Sequence, residues 1–247
     1  MNTPHLQPEL GSAPGWPLVL YFHHVHPTLE HYTSLTPASF ARGVETVLET
    51  VGEALPPTAI TTDRTKLPDR PTVLFTFDDG YRDTVEHALP VLAAFGVSAL
   101  FFLITDRSTE ASGAGAVADP WQAYLNWDDG RELVRAGHLL GAHSRTHRKL
   151  TELDPAACQS EIEGSVEAVS AAQGSTGEVH FAYPYGLVPQ QPSLPAGTLG
   201  FGTVKAPPVA WSGQPLNIRR TYLPTGAEDD WAALCRGWRD QWWATSR

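Results

Sequence analysis

Runs and alternations of apolar residues divide the chain into short strands and amphipathic helices. Residues 18–22 form a brief apolar run, and residues 72–77, rich in β-branched and aromatic side chains, predict a buried strand. The near-continuous run 97–104 suits a parallel strand covered on both faces. Residues 138–142, 178–183 and 201–204 predict further strands. Between them the apolar spacing turns helical. Phe40, Val44, Val47, Leu48 and Val51 share one face of a helix over 36–52. A helix over 83–95 contains Pro90, which predicts a kink or break. A shorter helix runs from Trp127 to Arg135, another over 155–173 with Asp154 as N-cap and Pro155 at N1, and a last one over 229–243. Residues 1–16 predict a flexible arm, and 56–71 and 105–123 predict loops. Alternating strands and helices, with no repeat and no linker, predict a single α/β domain over 17–247 built on a barrel-like parallel sheet.

Composition narrows this picture only slightly. Apolar content of 42% with 18% charged residues is that of a folded chain, and 247 residues fit one α/β barrel. A net charge of -10 argues against a nucleic-acid partner, which needs a basic face. Eight Trp and seven Tyr serve core packing first, with a sugar-stacking groove as the other use. Cys158 and Cys235 have no metal-type spacing and predict buried free thiols. Neither a signal peptide nor a transmembrane segment is visible, so the chain reads as soluble and cytoplasmic, with periplasmic or extracellular action still open.

The chemistry concentrates at three strand ends. Thr76-Phe77-Asp78-Asp79-Gly80 places two adjacent carboxylates after a hydrophobic strand and before a turn-forming glycine. Such a pair is costly unless a cation or a hydrogen-bond network offsets it. In His143-Ser144-Arg145-Thr146-His147 two imidazoles four residues apart face the same way if they share a helical turn. That spacing alone is weak, but it falls after a strand, and strand ends converge on one face of a barrel. One Asp and two His would give three metal ligands with positions left for water and substrate. Phe181-Ala182-Tyr183-Pro184-Tyr185-Gly186 is either a simple Pro/Gly turn or a rigid one presenting the N–H of Tyr185 to an oxyanion.

In order and spacing these three segments resemble the first three motifs of the polysaccharide deacetylases, the NodB-homology group also called carbohydrate esterase family 4. The flanking Phe95-Gly96-Val97-Ser98-Ala99-Leu100-Phe101-Phe102 and Leu125-Asn126-Trp127-Asp128 also match, and the resemblance spans about residues 18–224. It implies a distorted (β/α) barrel of seven parallel strands. It also implies a divalent metal, zinc first and Co2+, Ni2+ or Mn2+ as alternatives, and loss of acetyl groups from an N-acetylated glycan or oligosaccharide. By position, Asp78 resembles the catalytic base, Asp79, His143 and His147 the metal ligands, and Tyr185 the donor of the oxyanion N–H. Tyr183, Pro184 and Trp211 would then line the substrate site.

Two departures from the pattern shape the remaining expectations. No His follows His180, so the general acid must come from elsewhere. Val19-Leu20-Tyr21-Phe22-His23-His24-Val25 is similar to the N-terminal His motif of the branch with permuted motif order, where His23 aligns as the acid and His24 is the second choice. Ala182 stands where many members carry an Arg that orients the base, and Arg219 or Arg220 would have to supply that guanidinium. The competing functions are hydrolysis of a small or cyclic amide on the same scaffold and a glycan-binding protein with weakened catalysis. A two-His, one-carboxylate set also resembles non-haem iron sites, but their ligand spacings differ.

Overall fold

The computed structural model describes residues 8–61, 67–108, 119, 121, 123–174 and 178–245. Nine strands occur among them: β1 Leu18–Phe22, β2 His24–Val25, β3 Ser34–Leu35, β4 Glu53–Ala54, β5 Thr72–Phe77, β6 Ala99–Leu103, β7 Leu139–Ala142, β8 Phe181–Ala182 and β9 Gly200–Phe201. β1, β5, β6, β7, β8 and β9 lie side by side in that order, all parallel, and β4 pairs with β5 as the seventh strand. β2 and β3 form a separate parallel pair. The sheet curls into the expected distorted barrel. Residues 218–221 bridge its two ends: Ile218 N–H donates to Gly200 O, and Thr221 exchanges hydrogen bonds with Val19 and Tyr21.

Strand periodicity sorts the core into two layers. Val19, Leu74, Leu100, Phe102, Leu139, Ala182, Phe201 and Ile218 fill the barrel interior with Trp211. Their neighbours in sequence, including Leu20, Phe75, Phe77, Phe101, Leu140, Phe181 and Tyr183, point outward under the helices. The register keeps the layers separate, since Leu100 pairs with Leu139 and Ala182 with Phe201.

The helices are α1 Pro37–Thr50, α2 Leu89–Ala94, α3 Trp127–Arg135, α4 Pro155–Gln173 and α5 Trp231–Thr245. Caps set their starts as expected: the Asp154 carboxylate accepts from Ala157 N–H at 3.0 Å, and Asn126 and Asp129 form a reciprocal capping box. The single helix expected over 83–95 is instead a π-helical turn, Thr84–Ala88, followed by α2, with Pro90 in the first turn of α2, where a missing N–H costs nothing. The strands expected over 178–183 and 201–204 shrink to two residues each.

Of the arm expected over 1–16, residues 1–7 lie outside the described residues, as does most of the loop expected over 105–123. Residues 8–16 are packed rather than free. Gly11 O accepts from Arg219 Nε at 2.8 Å, Pro8 O accepts from Trp238 Nε1 at 2.6 Å, and Ala13 and Trp16 are buried. Cys158 and Cys235 are free thiols, the first half-buried and the second buried.

Gly141 sits opposite Phe102 across the β6–β7 register, and a Cβ there would lie 2.5 Å from the Phe102 ring. Phe102 cannot retreat into an already filled interior. Gly141→Ala should therefore cost about 1–3 kcal/mol, read as a lowered melting temperature.

Candidate active site

The doublet Asp78-Asp79 emerges where β5 ends, and its backbone is anchored by Asp78 N–H donating to Phe22 O at 2.8 Å. Asp79 and Gly80 both take left-handed backbone angles, φ 71° and 73°. Gly80 is needed here because a Cβ would meet Leu103 at 2.7 Å. Four non-glycine residues among those described have positive φ: Asp79, Ser144, His147 and Tyr185. All four belong to the three motif segments. Strain of this kind, of order 1–3 kcal/mol per residue, concentrates where function requires a particular side-chain direction.

The pair His143 and His147 is not on a helical turn, contrary to the expectation from its spacing. Ser144 and His147 are left-handed, and the segment is a tight loop. Ser144 Oγ accepts from His147 N–H at 2.9 Å, while Glu161 of α4 takes hydrogen bonds from both the N–H and the hydroxyl of Thr146. Glu161 was missed in the sequence. The available signal was a carboxylate on the buried face of α4, beside Ile162, Ser165 and Val166.

This loop brings both imidazoles onto Asp79. Its Oδ1 lies 3.3 Å from His143 Nε2 and 3.2 Å from His147 Nε2, and the three donor atoms fall within 4.8 Å of one another. His143 Nδ1 is 2.7 Å from Ala182 O, so Nδ1 carries a proton and donates it there while Nε2 faces Asp79. Asp79 Oδ1 is buried without a hydrogen-bond partner among the described residues. An orphaned carboxylate oxygen facing two imidazole nitrogens is a donor set that fits a divalent cation. Burial favours the neutral form of Asp79, but the adjoining His143 ring and the other nearby imidazoles outweigh it and hold the carboxyl far below its ordinary range. Burial lowers His147 to about 4, helped by the charge of His143, so it presents a free lone pair at neutral pH. Burial also works against protonation of His143, but Asp79 and Asp78 raise it overall.

Asp78 faces the other way, into the barrel mouth, and meets Arg220. Two parallel hydrogen bonds of 2.7 Å, Nη1 to Oδ1 and Nη2 to Oδ2, join two fully or nearly buried groups. Burial would raise Asp78, yet the Arg220 guanidinium outweighs it and keeps the carboxyl below its usual range. Of the two expected arginines, then, Arg220 reaches the doublet. Arg219 points away and donates to Gly11 O and Ala206 O.

His23 belongs to the site-facing set. It feels the charges of Asp79, Asp78 and His143, although burial dominates and lowers it from its ordinary value. Beside it a cavity of about 40 Å³ is lined by Tyr21, Tyr32, Leu35, Tyr222 and Leu223. His24 points elsewhere, to Asp83 at 2.7 Å. Tyr185 is half exposed, its ring 4.6 Å from that of His147.

Three expected substrate contacts are not brought to the surface of this site. Tyr183 follows inward-facing Ala182 and so turns outward, fully buried against Phe181. Pro184 is buried at the start of the turn. Trp211 is 3% exposed and packs edge-on against Phe201 in the barrel interior.

A family profile described as polysaccharide deacetylase matches residues 65–204, more than half of the chain. YxkH of Bacillus subtilis (strain 168), whose name assigns it to the polysaccharide deacetylases, is 32% identical over 100 residues, covering 40% of this chain and 32% of that protein. The chain thus aligns with about a third of that relative. Among solved structures, the fold is similar to that of the Streptococcus pyogenes deacetylase PplD in complex with acetate, with a TM-score of 0.69, 17% identity, and coverage of 91% of this chain and 98% of that one. It is also similar to IcaB from Ammonifex degensii, with a TM-score of 0.62, 22% identity, and coverage of 88% and 96%. The family match, carried by the strand-end motifs that converge on Asp79, shows that this chain belongs to the polysaccharide deacetylase family.

Proposed function

We propose that the protein is a metal-dependent hydrolase that removes N-acetyl groups from a glycan containing N-acetylglucosamine. The observation that carries this reading is the split doublet: Asp79 turned onto His143 and His147, with Asp78 beside it, ionised and held by Arg220. Asp79, His143 and His147 would hold the ion, zinc before Co2+, Ni2+ or Mn2+. When bound, such an ion polarises an amide carbonyl and lowers the pKa of water.

The remaining work falls to the chain's own side chains. Asp78 takes a proton from the attacking water, since Arg220 occupies one direction on each of its oxygens and leaves the others free. Arg220 fixes the plane of that carboxylate and stands in for the guanidinium absent at Ala182. The left-handed turn at Tyr185 aims its N–H at the developing oxyanion. An amine leaves poorly unless protonated, and His23, near enough to feel both carboxylates, delivers that proton. Its place ahead of β5 in the chain supports membership of the branch with the N-terminal His motif. The Arg220–Asp78 contact weighs against the reading of the chain as a glycan-binding protein with weakened catalysis, at which Ala182 hinted.

Acetate release from chito-oligosaccharides and from a small N-acetyl sugar, combined with metal analysis of the purified protein, tests the reading. Asp79→Ala and His143→Ala should lose both metal and turnover. Asp78→Asn should retain metal and lose roughly 10²–10⁴-fold in kcat; full turnover in that variant would remove Asp78 from the role of base.

The two arginines separate in the same assay. Arg220→Lys keeps the charge but loses the two-pronged contact, and its kcat should fall by at least about tenfold. Arg219→Lys should lower the melting temperature, because its bonds to Gly11 and Ala206 tie down the N-terminal segment, with kcat preserved. Equal kcat losses in both variants would count against the assignment.

A further inference from the structure

The doublet His23-His24 leaves one imidazole with no part in the reaction. His24 is 1% exposed, and its Nδ1 lies 2.7 Å from Oδ2 of Asp83, itself 5% exposed. The ring stacks on Tyr81 at 3.8 Å between centroids and meets the edge of Trp121 at 4.4 Å. Its Nε2 is buried and makes no hydrogen bond among the described residues. The ring therefore cannot touch a substrate. Among the described residues its one side-chain hydrogen bond is to Asp83.

The location of that attachment matters. Up to Phe22, β1 is held to β5 by the sheet, and the last tie is Asp78 N–H to Phe22 O at 2.8 Å. Beyond it the chain leaves β5, and the backbone of β2 pairs with β3 instead. His23 is the single residue between these two strands. It is thus bracketed by a backbone bond on one side and the His24–Asp83 bond on the other. Both brackets end on one short segment, residues 78–83, which also carries Asp78 and Asp79.

We propose that His24, through Asp83, is a positioning residue that holds His23 at a fixed distance and angle from the Asp78-Asp79 turn. Without the second bracket, the chain after His23 would keep its β2–β3 pairing, including His24 N–H to Thr33 O at 3.3 Å, but among the described residues no hydrogen bond would tie it to the segment that carries Asp78 and Asp79. This inference rests on the reading of His23 as the general acid. Displacement of a reacting group by about 1 Å is enough to cost on the order of 10²-fold in rate.

The test exploits leaving groups and side-chain shape. An acetamide needs its nitrogen protonated to leave, whereas 4-nitrophenyl acetate expels a stable phenolate without an acid. His24→Ala should lower kcat on an N-acetylated chito-oligosaccharide roughly ten- to a hundredfold, with KM and the turnover of 4-nitrophenyl acetate changed by no more than about twofold and bound metal unchanged. His24→Asn, whose amide nitrogen overlays Nδ1 and can still donate to Asp83, should recover most of the amide turnover. His24→Gln, whose amide nitrogen overlays Nε2, should not. Comparing these two variants, each checked by thermal melting, keeps the test valid if His24→Ala folds poorly. Wild-type amide turnover in His24→Ala, equal loss on amide and ester, or equal behaviour of the Asn and Gln variants would overturn the proposal. His23→Ala separates this inference from the reading beneath it. If His23→Ala keeps its amide turnover, both fail; if it loses amide turnover selectively while His24→Ala does not, only the positioning role fails.

Discussion

The buried contact between Asp78 and Arg220 is the constraint on which the rest of the structure depends. Taking a carboxylate and a guanidinium out of water costs several kcal/mol per ion, and only good geometry with full hydrogen bonding repays it. Here the geometry is good and most of the guanidinium N–H groups are paired. Two bonds of 2.7 Å join the groups, Nε donates to Gly202 O, and Nη1 also reaches Thr76 Oγ1, whose own hydroxyl donates to Leu20 O. The guanidinium lies near the rings of Tyr21 and Phe102, 5.0 and 5.2 Å from their centroids. Such a site cannot form on an open sheet, because Arg220 arrives on the segment that bridges β9 to β1. Barrel closure and the state of the Asp78 carboxylate are thus one event.

That coupling explains why strain collects at the strand ends. With Asp78 committed to the barrel mouth, Asp79 can reach the imidazoles only if the chain reverses within one residue, and left-handed angles at Asp79 and Gly80 accomplish this. Two strands along the same rim, left-handed Ser144 and His147 turn two imidazoles back toward the same oxygen, and Glu161 clamps the loop through Thr146. The surroundings determine each conformation more strongly than local preference does.

Much of this was legible in the sequence because hydrophobic runs and caps are local signals. The helix over 155–173 appears at the expected residues, and the all-buried β5 and β6 match their apolar runs. The motifs located the cluster of Asp79, His143 and His147. What could not be read was direction. The His pair looked helical because spacing four also fits a tight loop closed by Ser144. Tyr183 and Trp211 looked like site walls because neither type nor spacing reveals which side of a strand or loop a ring takes. Arg219 and Arg220 were indistinguishable because their segment is not a regular strand, and its register is set by bridges to residues far away in sequence.

Parity along the strands resolves what residue type could not, and it resolves three doublets in a related way. Positions 19, 21 and 23 continue one side of β1, and positions 74, 76 and 78 continue the facing side of β5, since Tyr21 pairs with Thr76. His23 and Asp78 therefore share the barrel mouth with Arg220. Their partners turn outward, where a second charged or polar group would be costly unless tied down. Arg219 is tied to Gly11 and Ala206, and His24 to Asp83. Asp79 is the exception: among the described residues its carboxylate Oδ1 has no hydrogen-bond donor, only two imidazole nitrogens facing it. Two doublets thus pair a site residue with a tether, and the third pairs a site residue with an unfilled demand for positive charge. That asymmetry, rather than the mere presence of two acids, is the physical argument for a cation at Asp79.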